Sequence, residues 1–251
     1  KLLAVGNSEY ETTYTIVPTI MTVYRGYAWA DIQIGITPVR FVTTHLESLW
    51  DENDIPNAAK QAQQLIADLK NTKNPIVIMG DFNSDPRDPR IKDDPNAGGQ
   101  PTASTTCPGG TAICNAYLLM SEAGFKDVGP NALDPINNTW GMNALLTGPD
   151  PDRLKYSQQI GNFAGYSDRL DYIFVRNGAS AVASQLIGAL PPNNLNSDHA
   201  GIVSLIRIDS QVTERSADLP EHAPFPISFW QWVGIALAVL IIGFTIKKRF
   251  K

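Results

Sequence analysis

Residues 75–83 read PIVIMGDFN, an apolar run followed at once by polar residues. A run of five apolar residues with β-branched Ile and Val is typical of a strand buried inside a sheet. The Gly-Asp-Phe-Asn that follows places a carboxylate and an amide at the end of that strand. Polar side chains held at a strand end have rigid backing, as a chemical site requires. The stretch therefore predicts a central strand that leads directly into a candidate site.

Strands and helices are mixed on both sides of this run. Strands are expected over 26–36 and 39–43, joined by a turn at Thr37 and Pro38. Further elements are expected as helices over 57–70 and 112–123, and as strands over 170–175 and 201–208. Residues 85–111 are rich in Pro, Gly, Asp and Thr and are expected to form a long surface loop, and residues 129–167 are expected to form a second long loop region. Apolar strands covered on both faces by other elements predict an α/β fold.

The composition excludes several classes of protein. The chain has 251 residues, 43% of them hydrophobic and 18% charged, which is typical of a globular protein. Two Cys exclude a disulfide-rich scaffold and a four-Cys zinc module, and three His argue against a multi-His metal cage. The net charge is −5, and four of the twenty Lys and Arg lie in residues 247–251. The body is therefore acidic, offers no bulk attraction to nucleic acid, and would need a local cation for phosphate chemistry.

The carboxyl-terminal region predicts a membrane anchor. Residues 227–246 (ISFWQWVGIALAVLIIGFTI) carry no charge and, as a helix, would be about 30 Å long. Tryptophans lie near its start and KKRFK follows it, so the tail should be cytoplasmic and the body outside the cytoplasm. We expect a single-pass protein of the cell membrane: a domain over 1–210, a stem over 211–226, a transmembrane helix over 227–246 and a basic tail over 247–251. A buried core helix is the alternative for the apolar stretch.

Four short motifs place polar residues at the ends of predicted strands. In chain order they are TTHLES (43–48), GDFNSDP (80–86), DRLDYIFV (168–175) and SDHAG (197–201). Each alone has an ordinary structural explanation, such as a turn or a strand cap. Two of the three His lie within these motifs, however, and each has carboxylates nearby.

In this order and spacing, the four motifs resemble the endonuclease/exonuclease/phosphatase superfamily, which has the DNase-I-like fold. The resemblance implies an α/β (α+β) protein built as a two-sheet β-sandwich flanked by helices. It also implies hydrolysis of phosphoesters with Mg²⁺, or with Mn²⁺ or Ca²⁺ in its place. Substrates of the superfamily include nucleic acids, nucleotides and lipid headgroups, and the resemblance predicts no protein partner.

The resemblance also implies roles for individual residues. His199 is expected as the catalytic histidine, oriented by Asp171. Asp81 would position or deprotonate the attacking water, Asn83 would hold the phosphate, and His45 would donate to a phosphoryl oxygen. The implied set is, as catalytic residues, His45, Asp81, Asn83, Asp171 and His199, and, as metal ligand, Asp198.

One feature of the superfamily has no counterpart in this sequence. Its principal metal-binding Glu follows a Gln far upstream of the His45 motif, whereas only 44 residues precede His45 here. Glu9 and Glu11 are interpreted as surface residues. We therefore expect that the first strands of the fold and one metal ligand are absent, and that the chain alone binds Mg²⁺ weakly. We expect a membrane-held, metal-dependent phosphoesterase; a nuclease of the same fold and an inactive surface-binding domain are the alternatives.

The two cysteines lie close together in the sequence. Cys107 and Cys114 flank the loop PGGTAI. A compartment outside the cytoplasm would allow them to form a disulfide. Two free thiols are the alternative.

Overall fold

The computed structural model describes residues 1–17, 21–51, 55–87, 114–141, 151–188 and 197–209. Ten strands, three α-helices and one 3₁₀-helix lie within these ranges. In chain order they are β1 (Leu2–Glu9), β2 (Tyr14–Val17), β3 (Met21–Val23), β4 (Gly26–Ile34), β5 (Thr37–His45), α1 (Asn57–Leu69), β6 (Ile76–Asp81), α2 (Ala116–Glu122), β7 (Lys126–Asp127), the 3₁₀-helix (Pro135–Asn137), α3 (Pro151–Gln159), β8 (Asp171–Arg176), β9 (Ala179–Ile187) and β10 (Gly201–Ile208).

Six of the strands form one mixed sheet in the order β1-β4-β5-β6-β8-β7. Strands β5 and β6 run parallel, with α1 in the connection between them, and the other neighbours in the sheet are antiparallel. Strands β9 and β10 pair as a separate two-stranded ribbon, as do β2 and β3. The predicted strand at residues 75–79 is thus β6, near the middle of the large sheet.

The large sheet is covered differently on its two faces. Alternate residues of a strand point to opposite faces, so Ile78 packs with the helices while its neighbour Val77 faces the other way. On the helix side, the apolar stripe of α1 packs against Val42 and Phe174. On the other side, which we call the site face, the β9–β10 ribbon packs through Ile206 against Val77. This helix–sheet–ribbon arrangement confirms the α/β prediction.

Several element boundaries differ from those expected. The turn between β4 and β5 lies at Gly35 and Ile36, since Gly35 takes the left-handed φ of +57°, and Pro38 lies inside β5. Helix α2 begins at Ala116, because the Asn115 side chain accepts the Leu118 N–H and caps it there. Strands β1, β2, β3, β7 and β9 were not predicted, and the 3₁₀-helix and α3 form within 129–167, where a long loop was expected. Strand β10 is covered on one face only, since Leu205 is 62% exposed.

Some predictions concern residues that the structure does not describe. The stem (211–226), the apolar stretch (227–246), the basic tail (247–251) and most of the 85–111 loop lie outside the described ranges. Among the helices of the described ranges, none has the length and apolar character to span a bilayer. Cys114 is disulfide-bonded. The chain offers it Cys107 as its one possible intrachain partner, and Cys107 lies outside the described ranges.

Candidate active site

Strand register places three of the predicted residues in one row across the large sheet. His45 at the end of β5 lies opposite Asp81 at the end of β6, and Asp81 lies opposite Asp171 at the start of β8. Neighbouring strands are about 4.8 Å apart, and residues directly opposite one another point to the same face. The three side chains therefore share one edge of the site face, as the motif positions predicted.

His199 reaches this row from the ribbon layer. It lies just before β10, and the extended segment 139–141 joins it to the large sheet. The Ala200 N–H donates to the Thr139 carbonyl at 2.7 Å, and the Thr139 hydroxyl accepts the Asp171 N–H at 3.1 Å. Trp140, beside Thr139, also forms a bridge pairing with His199. One short segment thus fixes His199 relative to Asp171.

The four side chains form a continuous polar cluster. His199 Nδ1 lies 2.9 Å from Asp171 Oδ2, a hydrogen bond that leaves Nε2 facing Asp81 Oδ2 at 3.8 Å. On the other side of Asp81, His45 Nε2 lies 3.4 Å from the same oxygen. The Asp81 carboxylate is therefore flanked by both imidazoles.

Burial and neighbouring charge shift the proton affinities of these groups. Burial, followed by the charge of Asp171, raises the pKa of Asp81 to about 6. Burial alone would lower the pKa of His199, but the Asp171 hydrogen bond and the carboxylates around it outweigh burial and raise this pKa. Burial lowers the pKa of His45, with smaller contributions from Arg25 and His199. At neutral pH the cluster thus combines a neutral His45 with a His199 that holds its proton more tightly than usual.

The backbone around Asp81 explains the Gly-Asp-Phe-Asn motif. Gly80 has φ +155°, and a Cβ there would lie 1.8 Å from the Thr44 carbonyl oxygen, so only glycine fits. Asn83 takes a left-handed φ of 45°, and its N–H donates to Asp81 Oδ1 at 2.8 Å. Its side-chain amide donates to the Leu46 carbonyl at 2.8 Å. Asn83 therefore positions Asp81 as well as lying beside the site, where it was predicted to hold phosphate.

The donor set fits a divalent cation. Asp81, Asp171 and His199 each offer a ligand atom, and these atoms lie within 4.8 Å of one another. Carboxylate oxygens suit Mg²⁺, Ca²⁺ and Mn²⁺, and an added imidazole is compatible with Mn²⁺. Asp198, the predicted metal ligand, is not in this group, although its charge is close enough to raise the pKa of His199. Its role as a ligand stays a prediction.

The sequence reading assigned no role to an ion pair beside the cluster. Arg25 Nε lies 3.3 Å from Glu47 Oε2, and the Glu47 side chain is only 3% exposed. The positive charge of Arg25 helps to lower the pKa of both His45 and Asp81. The sequence feature that could have indicated this ion pair is Glu47 in the TTHLES motif, a carboxylate directly after the apolar Leu46.

Two further buried groups hold the Asp171 region in place. Arg169 is fully buried and donates through Nε to the Asp171 carbonyl at 2.8 Å and through its terminal nitrogen to the Asn137 carbonyl at 2.9 Å. Asp85 is also fully buried and accepts the Arg169 N–H at 2.8 Å. Both residues lie inside the motifs quoted above, but their structural role depends on contacts distant in sequence.

Fold and site together define a DNase-I-like α/β protein with a His–Asp cluster at one sheet edge. A sequence model described as the Endonuclease/Exonuclease/phosphatase family matches residues 10–204, and the chain belongs to this family. Among curated proteins, none gives a significant match.

The chain is similar to several solved structures, including the following three. An endonuclease/exonuclease/phosphatase from Bacteroides vulgatus is 16% identical, with 83% of this chain and 66% of that chain covered and a TM-score of 0.46. D. rerio TDP2 complexed with single-strand DNA product is 21% identical (82% and 68% covered, TM-score 0.47). The mannosyl-6-phosphatase Bt3783 of Bacteroides thetaiotaomicron is 14% identical (83% and 67%, TM-score 0.45). The chain spans about two thirds of the length of these three structures.

Proposed function

We propose that this protein is a metal-dependent phosphoester hydrolase. The observation that supports it best is the arrangement of His199, hydrogen-bonded at 2.9 Å to Asp171 and facing Asp81 through its second nitrogen. A histidine whose tautomer is fixed by one carboxylate, with a second carboxylate of raised pKa beside it, is suited to proton transfer near neutral pH.

Each residue of the cluster has a task in such a reaction. Asp81, whose pKa of about 6 lets it accept a proton near neutral pH, orients and deprotonates the attacking water. His199, whose raised pKa favours the protonated ring, donates from Nε2 to a phosphoryl oxygen, and Asp171 holds its ring in place. Neutral His45 donates a second hydrogen bond, and the Arg25 guanidinium adds positive charge that favours an anionic substrate. A divalent ion held by the carboxylates of Asp81 and Asp171, with Asp198 as a further ligand, would neutralise charge on the phosphate and leave His199 free to donate its proton.

The proposal includes a location at the cell membrane, with the domain outside the cytoplasm. The uncharged stretch 227–246 and the basic tail after it support this placement. The disulfide-bonded state of Cys114 also supports it, since disulfides persist in oxidising compartments. Protease added to intact cells should remove the domain and spare the tail. Complete protection of the domain would contradict this location.

The activity can be tested with the full chain on bis-p-nitrophenyl phosphate, with Mg²⁺, Mn²⁺ or Ca²⁺ supplied in turn. His199→Ala and Asp81→Ala should each lower turnover by roughly 10²-fold or more. The matched control is Asp209→Ala, because the Asp209 side chain is 61% exposed. Equal turnover in the wild type and all variants would contradict the roles proposed for His199 and Asp81. A parallel assay on plasmid DNA tests the nuclease alternative, and no turnover of either substrate would favour the inactive binding domain.

A further inference from the structure

A groove lined by both polar and apolar groups runs along the site face, beside the His–Asp cluster. It has a volume of about 540 Å³. Its shape follows from residue size on three neighbouring strands, because small residues on β4 lie between longer ones on β1 and β5. The register pairs Asn7 of β1 with Ala28 of β4, and Ala28 with Thr43 of β5. The residues of the site face that line the groove are Asn7, Glu9, Gly26, Ala28, Thr43 and His45.

The groove and the catalytic cluster share one residue. His45 lines the groove, and its Nε2 lies 3.4 Å from Asp81 Oδ2. Strands β1 and β5 lie on either side of β4, so the two walls are about 10 Å apart. That width admits a single ring or a short chain. A phosphate at the His45–Asp81 end would therefore direct its organic substituent along the groove.

The groove walls offer hydrogen-bonding groups. Asn7, Glu9 and Thr43 are exposed to solvent. Within the described part of the chain, their side chains make no hydrogen bond, and the Ser8 hydroxyl and the Gln64 amide donate to the backbone carbonyl of Glu9 and not to its carboxylate. A carboxylate, an amide and a hydroxyl can together accept and donate several hydrogen bonds. These groups are therefore available to a ligand.

The same lining argues against two other kinds of ligand. No Lys or Arg is among the described residues that line the groove, so Glu9 would repel a second phosphate placed there. Apart from His45, Tyr27 is the only aromatic residue among the described residues that line the groove; its hydroxyl donates to Asp68 and its ring packs in the helix-side core. The groove thus lacks the aromatic faces that bind quaternary ammonium groups. A neutral, hydroxyl-rich group is the best match.

We propose that this groove binds the hydroxyl-bearing part of the substrate, a sugar or polyol, while the phosphate lies at the end of the groove marked by His45 and Asp81. The assignment rests on the proposed function and narrows its substrate class. Glu9 accepts hydrogen bonds from the substrate hydroxyls, and Asn7 and Thr43 complete the set. The small side chain of Ala28 keeps the groove floor low enough for a ring. The sugar or polyol can belong to a soluble phosphoester or to a lipid headgroup.

The test compares two monoesters on the full chain: myo-inositol 1-phosphate, which is rich in hydroxyls, and phenyl phosphate, which has none outside the phosphate. Glu9→Gln should lower kcat/KM for the inositol ester about tenfold, mainly through KM, with less than about a twofold change for phenyl phosphate. Ala28→Leu should obstruct the groove with the same selectivity. The control is Glu11→Gln, a surface carboxylate two positions away. Equal losses on both esters, or no loss on either, would overturn the proposal.

Two further experiments distinguish a lipid substrate from a soluble one and cover the case in which the chain hydrolyses no phosphoester. Phosphatidylinositol in phosphatidylcholine vesicles and soluble glycerophosphoinositol are compared. Turnover of either that falls in Glu9→Gln supports the groove and identifies the source. Efficient cleavage of DNA that Glu9→Gln leaves unchanged overturns it. If the wild-type chain hydrolyses no phosphoester, the proposed function fails, and calorimetric titration with inositol 1-phosphate decides the groove alone. If inositol 1-phosphate binds the wild type and binds the Glu9→Gln variant more weakly, the groove proposal is supported. If it does not bind, or binds both proteins equally, the groove proposal is overturned.

Discussion

Replacing Asp81 by asparagine should stabilise the fold while it removes the proposed base. The Asp81 side chain is only 12% exposed, and burial, followed by the charge of Asp171, raises its pKa from 3.8 to about 6. Since each tenfold change in proton affinity is worth about 1.4 kcal/mol, the ionised form costs the fold about 3 kcal/mol. Asparagine has the same shape, and its Oδ1 can still accept the Asn83 N–H. We therefore expect Asp81→Asn to raise the free energy of unfolding by up to about 3 kcal/mol at pH 7.5.

The pH dependence of this gain follows from the direction of the pKa change. A carboxyl whose pKa is raised by folding binds its proton more tightly in the folded state than in the unfolded chain. Its contribution to stability is fully present below its unfolded pKa of 3.8 and is lost as the pH rises through about 6. Asparagine does not titrate, so the difference between the two proteins should be small near pH 4, grow up to about pH 6 and then stay level.

The measurement is urea denaturation followed by tryptophan fluorescence, in buffers with EDTA at several values between pH 4 and 7.5. Asp209→Asn provides the control, because the Asp209 side chain is 61% exposed and its variant should match the wild type throughout. A variant at position 81 that is no more stable than the wild type at pH 7.5 would refute the reasoning. A gain that is the same at pH 4 and pH 7.5 would also refute it, because burial of charge could not then be its source.

Three other predictions follow from the same structure. Asp171→Asn should lower the pKa of His199, because the carboxylate that raises this pKa is removed and the lowering by burial remains. An NMR titration of the His199 ring in metal-free buffer measures this pKa. An unchanged pKa in the variant would contradict the Asp171–His199 pairing. Gly80→Ala should lower the free energy of unfolding, measured by urea denaturation, by at least about 3 kcal/mol, because the added Cβ clashes with the Thr44 carbonyl. The control Gly35→Ala should lower it by about 1–2 kcal/mol, because its Cβ meets open space and only the left-handed backbone is strained. Denatured, unreduced protein should show no reactive thiol, and reduction of the Cys114 disulfide should lower stability by about 2.5 kcal/mol; a labelled thiol before reduction would contradict this.

The structure describes the residues of the predicted metal site, but not those of the predicted membrane anchor. Asp198 is described and lies beside His199, outside the group formed by Asp81, Asp171 and His199. Glu9, interpreted from sequence as a surface residue, is exposed, but it also ends strand β1 on the same face as the site. That position was invisible in the sequence because β1 mixes Gly, Asn and Ser with its apolar residues and shows no clear alternation.

The sequence by itself determined the central strand, α1 and the α/β class, and its resemblance to the family pointed to the residues that form the His–Asp cluster. These features are local, because apolar runs specify buried strands and a polar residue that directly follows such a run lies at the end of the strand. The tertiary structure alone decided that segment 139–141 brings His199 to Asp171, that Glu47 holds Arg25 beside the cluster, and that Asn7 and Thr43 face each other across Ala28. Such contacts depend on which strands become neighbours and in which register. A one-residue shift in register would move every side chain to the opposite face, so no local pattern in the chain could fix them.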